Sequence, residues 1–207
     1  MVRRFIKENR GTTAAEFALI LPVALLMLFG VIDVGSYAWT LNEYEKATQM
    51  GARYAVVTDV ISPALVEETY VGVTCDGVVL EPGSRICSSA LGAVICDAQG
   101  CTCDASQGSC PSGTLSPTDA TDYNALLARM RQFQPRIPDN AVSVEYRGSG
   151  LGFAGDPNKP EIAPIVTVRV RDVNYNAITL SPFGLSVPLP DFSYSLTMED
   201  GIGSNAS

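Results

Sequence analysis

The stretch that decides the fold is Met1-Val-Arg-Arg-Phe-Ile-Lys-Glu-Asn-Arg10, then Gly11-Thr-Thr-Ala-Ala-Glu16-Phe17, then Ala18-Leu-Ile-Leu-Pro-Val-Ala-Leu-Leu-Met-Leu-Phe-Gly-Val-Ile32. Between residues 14 and 32 the only charged side chain is Glu16. At about 1.5 Å per residue a helix of that length spans about 28 Å, which is enough to cross hydrocarbon. Arg3, Arg4, Lys7 and Arg10 precede it, whereas Asp33, Glu43 and Glu45 follow. This Lys/Arg bias places the N-terminus in the cytoplasm and the remainder outside it. No clean small-residue cleavage site follows the run, Asp33-Val-Gly-Ser36 being the nearest approach. The segment therefore reads as an anchor and not as an ordinary secretory signal.

Glu16 is costly in lipid, and an ionisable residue inside a membrane segment marks a functional position. Gly11 gives a matching reading. A prepilin peptidase cuts on the cytoplasmic side, after a glycine and ahead of an apolar helix, and glycine offers it an unhindered backbone. Cleavage between Gly11 and Thr12 creates an α-ammonium on Thr12. The Glu16 carboxylate is then placed to neutralise such an ammonium, in its own chain or on a neighbouring subunit of a filament, since an uncompensated charge in low dielectric is strongly unfavourable. The competing reading is an uncut single-pass anchor whose Glu16 snorkels to the headgroups. Position alone does not separate the two.

The run Gly11-Thr-Thr-Ala-Ala-Glu-Phe-Ala-Leu-Ile-Leu-Pro22, with Phe29-Gly-Val-Ile-Asp33 and Gly51-Ala-Arg53-Tyr-Ala55, resembles the TadE-like pseudopilins of the tight adherence (Flp, type IVb) pilus systems. The resemblance covers residues 10–57; Ser193-Tyr-Ser-Leu-Thr-Met-Glu199 adds a fainter likeness to the closing strand of such proteins. It implies a minor pilin, processed by the system's prepilin peptidase, with the membrane, that peptidase, other pilins and pilus assembly proteins as partners. The cysteine-containing middle lies outside it.

Apolar positions Val34, Tyr37, Ala38, Leu41, Tyr44 and Ala47 continue the helical spacing beyond the apolar run, and it resumes at Ala52. Ser62-Pro63 is the expected stop. Pro22 interrupts one helical hydrogen bond, either as a bend used on leaving the bilayer or as a tolerated membrane proline. Gly51-Ala52-Arg53 reads as a close-packing notch or as an ordinary amphipathic face. Trp39 and Tyr37 stand where an interfacial aromatic belt would lie. The chain is divided into a basic leader (1–11), a long helix (12–61, its transmembrane part about 14–32) and an extracytoplasmic α+β domain (62–207).

With a net charge of −8 for the chain and +3 for its first ten residues, the remainder carries about −11. Such a balance argues against nucleic acid and against adsorption to anionic headgroups. Cys75, Cys87, Cys96, Cys101, Cys103 and Cys110 form an even set outside the cytoplasm, where disulfides persist. Their surroundings are rich in Gly, Ser and Asp, so three bridges are expected to hold a region (75–110) with little to bury. Six cysteines allow 15 pairings, and spacing does not choose among them. Zinc is the weaker alternative, because Cys96-x4-Cys101-x-Cys103 lacks paired C-x2-C knuckles and the chain has no histidine.

A short amphipathic helix is expected over Tyr123–Phe133, capped by Thr118 or Asp119 and ended by Pro135. Val142-x-Val144-x-Tyr146, Val166-x-Val168-x-Val170 and Tyr194-x-Leu196-x-Met198 alternate as strands. Gly148-Ser-Gly-Leu-Gly152 opens no helix and so makes no phosphate cradle. The expected fold is α+β: a long N-terminal membrane-spanning helix packed on a small antiparallel sheet of three or four strands, with a disulfide-rich loop region, pilin-like in outline. Absence of histidine removes the serine triad and the usual imidazole base. No catalytic residue, metal site, cofactor or small-molecule substrate is expected. The two functions in contention are a pilus subunit and a fixed anchor whose disulfide domain binds an envelope partner.

Overall fold

The computed structural model describes residues 10–157 and 160–198, with side chains from residue 14 onward. The first nine residues of the expected leader, with Arg3, Arg4 and Lys7, lie outside the described residues, as does Glu199. Two compact units emerge: residues 1–41 with 174–188, and residues 42–173 with 189–207.

Helix α1 (Arg10–Ala55) runs unbroken through Pro22 and belongs to both units. It ends at Ala55, short of the expected Ile61. Val56 and Val57 form a closing turn onto the carbonyls of Ala52 and Tyr54. Val60 and Ile61 then turn into the core, where the Ile61 amide donates to the Tyr146 hydroxyl at 3.3 Å. Burial of that phenol pushes its pKa up, so it stays a neutral partner. Pro63 does not terminate a helix; it occupies the start of α2 (Pro63–Glu67), where a missing N–H costs nothing.

The second unit is built on a five-stranded antiparallel sheet. β1 (Thr74–Cys75) and β2 (Val78–Val79) form a small separate hairpin. β3 (Ala93–Asp97) and β4 (Gly100–Asp104) follow, then α3 (Thr121–Arg131), β5 (Val142–Arg147) and β6 (Ile165–Val170). β7 (Asn174–Tyr175) pairs with β8 (Val187–Pro188) in the first unit, and β9 (Phe192–Thr197) closes the main sheet. Its order is β4-β3-β5-β6-β9. The three alternating segments expected as strands are all present. The region expected as loop supplies two more, because Val94 and Cys96 of β3 point into the core opposite Tyr146 and Val144.

Register explains which face is buried. Val142↔Val170, Val144↔Val168 and Tyr146↔Val166 are paired on one face and excluded from solvent. On the other face Ser143 pairs with Arg169 and Glu145 with Thr167. The buried Glu145 accepts from Arg169 at 2.6 Å and lies 3.2 Å from Arg147, so its charge is compensated. Arg171 lies 3.6 Å from Asp191. The outer arginines are thus partnered within the sheet and do not form a free anion-binding row.

Helix α3 begins one residue later than the expected caps allow. Its N-cap position is Ala120, which offers no side-chain bond, so neither Thr118 nor Asp119 caps it. Asp119 instead closes a turn ahead of the helix by accepting the Thr121 amide at 3.0 Å. Its inward face presents Tyr123, Leu126, Leu127 and Met130. Tyr123 donates toward the carbonyls of Asp139 and Val142, and burial raises its pKa to about 12. Met130 meets α1 at Gly51, where a Cβ would lie 2.8 Å from its Cγ and Sδ. The glycine is therefore a packing notch, which was one of the two readings of that segment. Gly51→Leu should destabilise this domain by about 1–3 kcal/mol through overpacking. Gly51→Ala should be nearly neutral, because a helix-propensity gain of about 1 kcal/mol offsets the push on a flexible Met130. Denaturant midpoints of the two variants check this; equal midpoints would remove the notch.

Candidate membrane and assembly helix

An 18-residue window of α1 has a mean hydropathy of 2.6, yet only 6% of it is buried within the protein. Phe17, Leu19, Ile20, Leu26, Met27 and Val31 are all exposed. A helix that is apolar all round and unburied needs a non-aqueous surrounding. Length and composition both fit a membrane anchor.

Gly11 and Thr12 lie in the first turn of α1. Glu16 stands one turn beyond Thr12 on an exposed part of the helix, the i, i+4 relation that brings two positions to one side.

At the other end of the apolar run, Asp33 is buried, which the charge pattern alone did not foretell. Its carboxylate accepts the Ile178 amide at 2.7 Å, the Thr179 amide at 2.9 Å and the Thr179 hydroxyl at 2.6 Å. The Tyr175 hydroxyl donates to the Asp33 carbonyl at 3.3 Å, and the Tyr37 and Tyr175 rings meet edge to face. Three donors on one carboxylate compensate a charge removed from water. Asp33 thereby fastens the segment between β7 and β8 to α1 within the first unit.

All six cysteines lie in the second unit, and they pair sequentially as Cys75–Cys87, Cys96–Cys101 and Cys103–Cys110. Cys96 and Cys101 face each other across the β3–β4 ladder, with Cα atoms 4.0 Å apart. Cys103 reaches the segment after β4, and Cys75–Cys87 closes the β1–β2 hairpin region. No thiolate is left over to bind a metal.

Among the described residues these parts define one helix suited to a membrane anchor, followed in sequence by a disulfide-bridged α+β domain. Residues 11–53 match the family model described as TadE-like protein, the family that the same residues resemble by inspection. The matched segment contains Gly11, Thr12, Glu16, Pro22, Asp33 and Gly51; the sheet and the cysteines lie beyond it. No curated protein and no solved structure matches the chain.

Proposed function

We propose that this chain is a TadE-like minor pilin or pseudopilin. In this reading α1 is inserted in the cytoplasmic membrane with its N-terminus on the cytoplasmic side, and the α+β domain is periplasmic or extracellular. A prepilin peptidase removes residues 1–11, and the mature subunit acts in assembly of an adhesive Tad/Flp pilus or at its tip. The role is structural, not enzymatic. The observation that carries it is the TadE-like match over residues 11–53, which begins at the glycine of the proposed cut.

The exposed apolar helix is the geometric feature in favour of this reading. An exposed apolar helix suits lateral transfer from lipid to a filament, because both surroundings are non-aqueous. The neighbour's Thr12 ammonium offers Glu16 a compensating charge in either one. Gly11 sits in a helical turn that must unwind for a peptidase to hold the chain extended, and glycine lowers the cost of unwinding by about 1 kcal/mol relative to alanine. The helical setting of the cut site is also what favours the second reading, an unprocessed single-pass anchor whose disulfide domain binds an envelope partner.

N-terminal sequencing of the membrane-fraction protein separates the two. A start at Thr12 is expected, and Gly11→Trp should leave only the full-length precursor, inserted in the membrane and without pili. A wild-type start at Met1, or normal pili from Gly11→Trp at unchanged gel mobility, would overturn the processing step.

A further inference from the structure

Residues 173–190 contain no Asp, Glu, Lys or Arg, the longest uncharged run in an otherwise acidic chain. Within this run β7 and β8 pair Asn174 with Pro188 and Tyr175 with Val187, so the intervening residues form a strap. Its tip is a turn over Ser181–Phe183, closed by Gly184 at φ 67, a left-handed conformation that suits glycine. Ala177 of the strap is buried, but its three most exposed apolar side chains face outward. Ile178 is 53% exposed, Phe183 76% and Leu185 56%. Asp33 holds the strap through its bonds to Ile178 and Thr179, and Asp33 directly follows Ile32, the last residue of the apolar run.

We infer that this strap is a second membrane contact, a wedge that lies in the headgroup–acyl boundary beside α1. The inference rests on the reading of α1 as a membrane span. Three observations agree on lipid as the occupant. The strap is fastened at the level where the lipid-length run ends. At the same level α1 is itself exposed and apolar at Val31 and Val34, on other sides of the helix from Asp33. The strap carries no charge, so entering the interface costs no ion desolvation, unlike almost any other stretch of this chain. A strap presenting one aromatic and two aliphatic side chains matches the apolar side of interfacial segments, which insert Phe and Leu at the headgroup–acyl boundary. Through Asp33 the wedge restricts rotation of α1 about its axis, which a lone helix in lipid lacks.

The test uses the full chain in uncharged phosphatidylcholine vesicles, with Trp39→Phe removing the single native tryptophan. Phe183→Trp and Leu185→Trp report on the strap, and Val23→Trp reports on the middle of the apolar run. Acyl chains carry bromine either near the headgroup or near the chain end. Both strap reporters should be quenched more by the shallow bromines, with blue-shifted emission and protection from aqueous iodide. Val23→Trp should be quenched more by the deep ones. Quenching of Val23→Trp without quenching of either strap reporter would overturn the wedge and leave the membrane span intact. Iodide protection of the strap without bromine quenching would show protein covering it, a second copy of this chain, and would also overturn the wedge. No quenching at any of the three sites would overturn the span and the wedge together.

Discussion

Glu16→Leu is expected to reach the membrane in at least normal amounts and to fail completely in assembly. The two halves of this result follow from opposite signs of the same electrostatics. An exposed carboxylate on an apolar helix opposes lipid burial, so replacing it by leucine removes a cost and deepens retention. In a filament the same carboxylate is proposed to compensate the Thr12 ammonium of a neighbour, and without it a charge is left unpaired in low dielectric. Removing one partner of such a pair costs about 3–5 kcal/mol. Glu16→Gln keeps the size and some hydrogen bonding but not the charge, so it should share the assembly defect without the gain in retention. The measurement is membrane fractionation beside pilus counts and co-purification with other pilins. If Glu16→Leu assembles as well as the parent, Glu16 is a boundary residue, and the fixed-anchor reading takes over.

The separation of those two properties shows what a sequence can carry. The apolar run is local, so the existence of α1 and its membrane-length stretch were legible from spacing alone. The Gly51 notch was legible as one of two readings, but its partner Met130, far along the chain, was not. Where α1 ends was misjudged for a physical reason. Proline at Ser62-Pro63 disfavours helix in the residue before it, yet it is favoured in the first turn of the helix it starts. Instead α1 closes in a turn at Val56 and Val57, and the chain then buries Val60 and Ile61, the latter bonded to Tyr146.

The β3–β4 hairpin was hidden by its composition. Gly, Ser and Asp near the cysteines read as loop, although Val94 and Cys96 alternate as inward positions. Asp97 also accepts the Gln99 amide at 2.8 Å, a side-chain turn that closes the hairpin. Asp33 was counted only as a flanking charge, because two of its three donors are backbone amides with no sequence signature. The cysteine pairing was likewise open among 15 connectivities, and the fold resolves it by bringing neighbours in sequence together.

That sequential pairing makes reduction the harshest perturbation expected of the domain. Short loops give modest individual constraints. With sequence separations of 12, 5 and 7, chain entropy assigns about 2–3 kcal/mol to each bridge. Together they amount to about 7 kcal/mol, against a typical domain stability of about 5–15 kcal/mol. The reduced domain should therefore be marginal or unfolded, a larger loss than Gly51→Leu produces. Cys96 adds to this, since it is fully buried between Val144 of β5 and Cys101 of β4. The Cys96→Ser, Cys101→Ser pair thus puts polar hydroxyls into the sheet interior as well as freeing the hairpin. Helix α1 contains no cysteine and should stay helical and inserted throughout. Non-reducing peptide mapping should return the three sequential bridges, and full-length protein in micelles should unfold at a much lower denaturant concentration once reduced. A different bridge map, or an unchanged midpoint after complete reduction, would show that the valine-lined sheet and α1 hold the domain without the staples.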